Sequence, residues 1–133
     1  MKKLLCILLS LIAIISVFSI ALTSEAASKP GKVTGLEGYT TARNVYTCAV
    51  WNKKKGVTGY QVQYGKLTGL KNGEYTKTKW TSKKYKVKGY KKHKHKIKTN
   101  GWKYGRVRVR AYKVKNGKTL YGKWAYSDVY EYN

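Results

Sequence analysis

The chain is short of acid, sulfur and imidazole. Five Asp and Glu, two Cys and two His serve 133 residues, and these side chains carry most acid–base, nucleophilic and metal chemistry. Beyond the N-terminal segment the acids are Glu37, Glu74, Asp128 and Glu131. They are too scattered to place two in one cleft, and a glycosidase pair needs about 5–9.5 Å between its carboxylates. Cys6 falls in the N-terminal segment, which leaves Cys48 alone and excludes an intramolecular disulfide framework. Cys48 lies in Val45-Tyr46-Thr47-Cys48-Ala49-Val50-Trp51 and reads as a strand thiol, not a nucleophile. His93 and His95, spaced i, i+2, fall on one face of a strand, but no third ligand accompanies them. Lys92, Lys94 and Lys96 would repel a cation, so the segment reads as a basic solvated strand with no metal. No Gly-rich phosphate loop or catalytic Ser motif occurs. The expectation is a binding protein with no catalytic residues and no cofactor.

Long apolar runs are equally scarce: there is one, Leu4 to Leu22, broken by Ser10, Ser16 and Ser19. Lys2 and Lys3 precede it and Thr23-Ser24-Glu25-Ala26-Ala27 follows, the pattern of a secretory signal cleaved after Ala26. The run approaches the roughly 20 residues of a membrane span, so a retained anchor is the competing reading. No Cys follows to take a lipid. The expected division is a signal peptide over 1–26, a short leader over 27–31 and one domain over 32–133. The expected location is extracellular, secreted or cell-wall associated, with no membrane span after cleavage.

What is abundant is positive charge and tyrosine. Lys and Arg number 29, for a formal +24. Without the signal, 27 basic and four acidic side chains remain, or +23. Such a field attracts polyanions at long range and weakens with salt. Outside a cell these are anionic wall polymers, membrane surfaces, acidic glycans and released nucleic acid, the last bound without specificity. Plain solubility is the alternative use of the charge. Thirteen Tyr and four Trp stand against one Phe, and Tyr and Trp suit half-buried strands.

Strand signals follow at short intervals. They fall at Val33–Leu36, Val45–Trp51, Tyr60–Tyr64, Tyr75–Thr81, one or two strands within Lys83–Thr99 with a break near Gly89, Arg106–Tyr112, and Trp124–Tyr132. Asn52–Gly56 reads as a turn, Gly65–Gly73 as a Gly-rich loop, and Asn116-Gly117 as a hairpin turn. About seven short strands in about 100 residues describe an all-β antiparallel sandwich. Trp51, Tyr60, Val62, Tyr64, Val107, Val109 and Ala111 are its expected core.

Trp51, the run Gly59-Tyr60-Gln61-Val62-Gln63-Tyr64 and the run Val107-Arg108-Val109-Arg110-Ala111-Tyr112 together resemble a fibronectin type III domain. The likeness is to the lysine-rich version in secreted Gram-positive bacterial proteins, and Lys32-Val33-Thr34-Gly35-Leu36 and Tyr121-Gly122-Lys123-Trp124 extend it over roughly residues 30–132. The resemblance implies an immunoglobulin-like sandwich of seven strands, three packed on four, with an adhesive, spacer or binding role. It also implies an inward Tyr two residues before Val107. Here that position is Gly105, with Tyr104 and Trp102 nearby.

Arg106, Arg108 and Arg110 project from one side of their strand, about 6.5–7 Å apart. The resemblance implies Gln61 and Gln63 alongside. Guanidiniums clamp phosphates or carboxylates and amides bond sugar hydroxyls. Trp124 and Tyr126 either add stacking surface or, on the parity of Tyr130 and Tyr132, belong to the core. Two readings follow: a module for an anionic cell-wall polymer, acidic glycan or surface protein, or a cationic antimicrobial or nucleic-acid-binding protein acting through bulk charge. A third is protein contact through an exposed strand edge. The sequence leaves the oligomeric state open.

Overall fold

The computed structural model describes residues 28–41, 43, 45–99 and 102–131. The expected signal segment and Tyr132 lie outside these residues. Among the described residues no helix is long and apolar enough to cross a membrane.

The described residues form ten strand segments. They are β1 (Glu37–Thr40), β2 (Tyr46–Val50), β3 (Gly59–Lys71), β4 (Glu74–Trp80), β5 (Tyr85–Lys88), β6 (Lys94–Lys98), β7 (Tyr104–Lys115), β8 (Lys118–Tyr121), β9 (Ala125–Tyr126) and β10 (Tyr130–Glu131). They form two antiparallel sheets, β1-β2-β6 and a seven-segment sheet built on β3 and β7. The larger sheet has four lanes. β5 pairs with residues 59–62 of β3 and β4 with residues 65–71, so both occupy the same edge in succession. β10, β9 and β8 likewise follow one another along the far edge of β7. Ten segments thus make seven lanes, three packed on four in a β-sandwich.

The core lies between the sheets. Trp51, Tyr60, Val62, Tyr64, Val107, Val109 and Ala111 are all essentially inaccessible. Fully burying one such aliphatic side chain is worth about 1.5–3 kcal/mol. The Trp51 and Tyr60 rings meet edge to face at 5.2 Å, a geometry that aromatic pairs favour. Tyr60 keeps its hydroxyl satisfied, donating to Tyr90 O at 2.8 Å and accepting from Lys54 N at 2.8 Å. Cys48 is buried in β2 as a strand thiol.

Several expectations need correction. The first strand starts at Glu37, not Val33. Gly35 takes φ 65°, a left-handed turn, and the Asn52 amide packs where its Cβ would stand. Thr34 O accepts from Asn52 N, and Val33 plugs the core instead of joining a ladder. Gly65–Gly73 is no loop: β3 continues to Lys71 and turns through Asn72-Gly73, both at positive φ (51° and 80°), into β4. That is a two-residue hairpin turn of the kind Asn-Gly favours. Lys83–Thr99 resolves into two strands separated at Gly89, φ 93°. The segment with His95 is not simply solvated. His95 and Ile97 are half-buried while Lys94, Lys96 and Lys98 stay exposed.

Gly105 leaves room for a ring that arrives from another strand. A Cβ there would stand 2.6 Å from the Tyr130 ring, and one on Gly38 would also collide with that ring. Tyr130, arriving from β10, packs against the core in the space both glycines leave. Tyr104 and Trp102 are only half-buried. The last strand breaks after Tyr126, and the break shifts its phase. Ala125 and Ser127 point in, then Tyr130 does, so Trp124 and Tyr126 stand outside.

Candidate functional site

The outer face of the four-lane sheet carries a row of cations and rings. The β3–β7 register sets Gln61 beside Arg110, Gln63 beside Arg108 and Gly65 beside Arg106. Directly opposed antiparallel residues share a face, so these side chains project together, away from the core. Arg108 Nε and Nη2 both donate to Gln63 Oε1. Arg110 Nε donates to Gln61 Oε1 at 2.9 Å and Arg106 Nε to Ser127 O at 2.9 Å. Gln63, itself buried, donates through Nε2 to Thr81 O and so ties β7 to the end of β4.

The rings complete the row. The Arg108 guanidinium lies 4.4 Å from the Trp80 ring centre and 4.4 Å from that of Trp124. Arg110 lies 4.4 Å from Trp124 and 4.1 Å from Tyr121. Arg106 sits 4.9 Å over Tyr126, which meets Trp80 edge to face at 6.0 Å. At the other end Tyr121 neighbours Tyr112 at 6.4 Å, and Lys86 Nζ caps Tyr112 at 4.8 Å. Cation and ring therefore alternate from Trp80 to Tyr121. Each such contact is worth about 0.5–1 kcal/mol when exposed and about 2 or more when desolvated.

Gly65 makes the alternation possible. It pairs with Trp80 across β3–β4, and a Cβ there would stand 3.0 Å from two carbons of the Trp80 ring and collide with Thr78. With no side chain at that position, the indole crosses β3 and reaches Arg108.

The acceptors that hold the three arginines are amide and carbonyl oxygens, not carboxylates. The row thus keeps its full positive charge. Burial, opposed by Tyr121 and reinforced by neighbouring Arg108, moves the Arg110 guanidinium below its usual range. Burial and then Tyr121 raise the Tyr112 phenol. Among the described residues Arg106 and Arg110 each bond only through Nε, which leaves their Nη groups as donors toward a ligand.

All the residues expected at the site lie in this row: Arg106, Arg108, Arg110, Gln61, Gln63, Trp124 and Tyr126. Arg108 has the most partners, two rings and two hydrogen bonds to Gln63. Trp124 has two arginines, Arg108 and Arg110, each 4.4 Å from its ring centre. Tyr126, 46% exposed, is the more open ring. Sequence reasoning missed Trp80, Tyr121, Tyr112 and Lys86. The signal for Trp80 was Asn72-Gly73: counting back through a two-residue turn sets Trp80 against Gly65.

A second cluster lies inside. Tyr64 Oη and His95 Nδ1 share a hydrogen bond of 2.9 Å, and the imidazole packs on Tyr85 with 4.9 Å between ring centres. Burial, and then Lys83, hold His95 below the ordinary histidine value. His93 Nδ1 lies 3.1 Å from Trp51 O. The two imidazoles serve packing, and no group of three or more metal-ligating side chains occurs among the described residues. Comparison with protein-family models and with curated proteins found no match for this chain.

Proposed function

We propose that the protein is a non-catalytic, fibronectin type III-like binding module, exported from the cell, whose outer cation–ring row holds an anionic extracellular polymer. The observation that carries this reading is the fixed row of three guanidiniums with only amide and carbonyl acceptors. Their orientation is set before any ligand arrives, which lowers the ordering cost of binding. The in-plane Nη donors of Arg106 and Arg110 suit phosphate or carboxylate oxygens. Guanidiniums already packed on Trp80, Trp124 and Tyr121 compete with a base for those rings, which weighs against base-specific nucleic-acid recognition.

The rival is bulk charge acting anywhere on the surface. Arg106→Gln/Arg110→Gln separates the two in a titration of inorganic polyphosphate at two salt concentrations. Binding is expected to fall about a hundredfold or more, two charge-assisted contacts being lost at roughly 1.5–3 kcal/mol each. Replacing Lys94 and Lys98 on the opposite sheet by Gln is expected to change it little. Equal losses from both pairs would establish bulk charge instead.

A further inference from the structure

We propose that the row is the middle of a longer track for one flexible, linear polyanion, with a basic cleft at each end as a further subsite. The proposal rests on the reading of the row as a polyanion site and names the shape of polymer it takes.

Each end residue of the alternating row also lines a cleft. Tyr121 closes one with Lys29, Lys32 and Lys123. Gly122 brings those lysines together: a Cβ there would stand 2.7 Å from Pro30 O, so only glycine lets the leader backbone lie against this corner. The corner is fixed by Gly122 N donating to Ala111 O at 2.9 Å. Trp80, at the other end, lines a cleft with Lys66, Lys79, Thr81, Ser82 and Trp102. Neither lining includes a carboxylate.

The second cleft holds two lysines paired across strands. Lys66 and Lys79 stand directly opposite each other in the β3–β4 register. Like charges so placed destabilise a sheet, and an anion between them would remove the repulsion. These lysines have the opposite parity from Trp80, so they project from the other face of the hairpin. A polymer joining cleft and row must therefore bend over the end of edge strand β4. A flexible chain can do this and a stiff duplex cannot, the persistence length of duplex DNA being about 150 base pairs. Subsites joined by one polymer bind through effective concentration, so affinity rises sharply once the chain is long enough to reach the second subsite.

The test is calorimetric titration of the protein with linear inorganic polyphosphates of increasing length, concentrations counted per phosphate, at fixed salt. Affinity is expected to step upward by about tenfold to a hundredfold over a narrow range of lengths and then level off. Lys66→Gln/Lys79→Gln and Lys32→Gln/Lys123→Gln are each expected to flatten the step while triphosphate binding stays unchanged. Duplex DNA is expected to bind more weakly per phosphate than long polyphosphate. A smooth rise in proportion to length, equal flattening by Lys94→Gln/Lys98→Gln, or duplex binding as tight as polyphosphate would each overturn the track. Loss of triphosphate binding in Arg106→Gln/Arg110→Gln, with no effect of the cleft pairs on the step, overturns the track and spares the row. Unchanged triphosphate binding in that arginine variant overturns both.

Discussion

Val107, Val109 and Ala111 point from β7 into the space between the sheets and are wholly buried, while Arg106, Arg108 and Arg110, each one residue away, stand half-exposed outside. The inner set is held by apolar burial, which has no direction and depends on volume. The outer set is held by an order: cation, ring, cation, ring, with an amide or carbonyl oxygen for each Nε. The inside supplies stability. The outside stores positive charge in fixed positions at little cost to the fold. One strand serves both because its side chains alternate faces.

Substitutions on the two sides should separate these roles. Trp51→Ala removes a buried indole from the inner core and is expected to cost about 3–5 kcal/mol in denaturant unfolding. Polyphosphate affinity of the fraction that remains folded should be unchanged. Gly65→Leu places a side chain where the Trp80 ring and Thr78 lie, with an expected cost of about 1–3 kcal/mol. It should also weaken polyphosphate binding, because Trp80 can no longer brace Arg108. Trp124→Ala removes two cation–ring contacts and is expected to cost about 1–2 kcal/mol, with a larger fractional loss in binding than in stability. A Trp124→Ala cost equal to that of Trp51→Ala would end the comparison, since the outer row would then carry the fold.

The smallest expected effect is a pH dependence that belongs to the inner side alone. Tyr64 from β3, Tyr85 from β5 and the Lys83 charge face His95. Burial and Lys83 lower its pKa from the ordinary 6.5, so the folded imidazole takes up its proton at lower pH than the unfolded chain does. The unfolded state then binds more protons, and stability falls as pH drops below 6.5 toward the lowered folded value. His95→Gln should flatten the unfolding midpoint across this window without altering polyphosphate affinity.

The inner side was legible in the sequence because it is local. Alternation within 60–64 and 106–112 places Tyr60, Val62, Tyr64, Val107, Val109 and Ala111 on one face. Three arginines on the other face were equally plain. What was not legible depends on pairing between distant segments. Trp80 and Tyr121 join the row only through the β3–β4 and β7–β8 registers. Gly65 and Gly69 read as loop because glycine weakens strands, yet Gly65 lies in one to make room for an indole. Gly69, at φ 71°, is held within its strand by Thr76 Oγ1 donating to its carbonyl at 2.6 Å. The phase shift after Ser127 likewise hides Tyr130 from any parity count along the last strand.

The central claim is that charge works at fixed positions on the outer face. It is tested most directly by following arginine and lysine side-chain signals in nuclear magnetic resonance while polyphosphate is added. The account predicts shifts at the Nη groups of Arg106 and Arg110, smaller shifts at the braced Arg108, and none at Lys94 or Lys98. Shifts spread evenly over those lysines and the three arginines, in proportion to exposure, would contradict it.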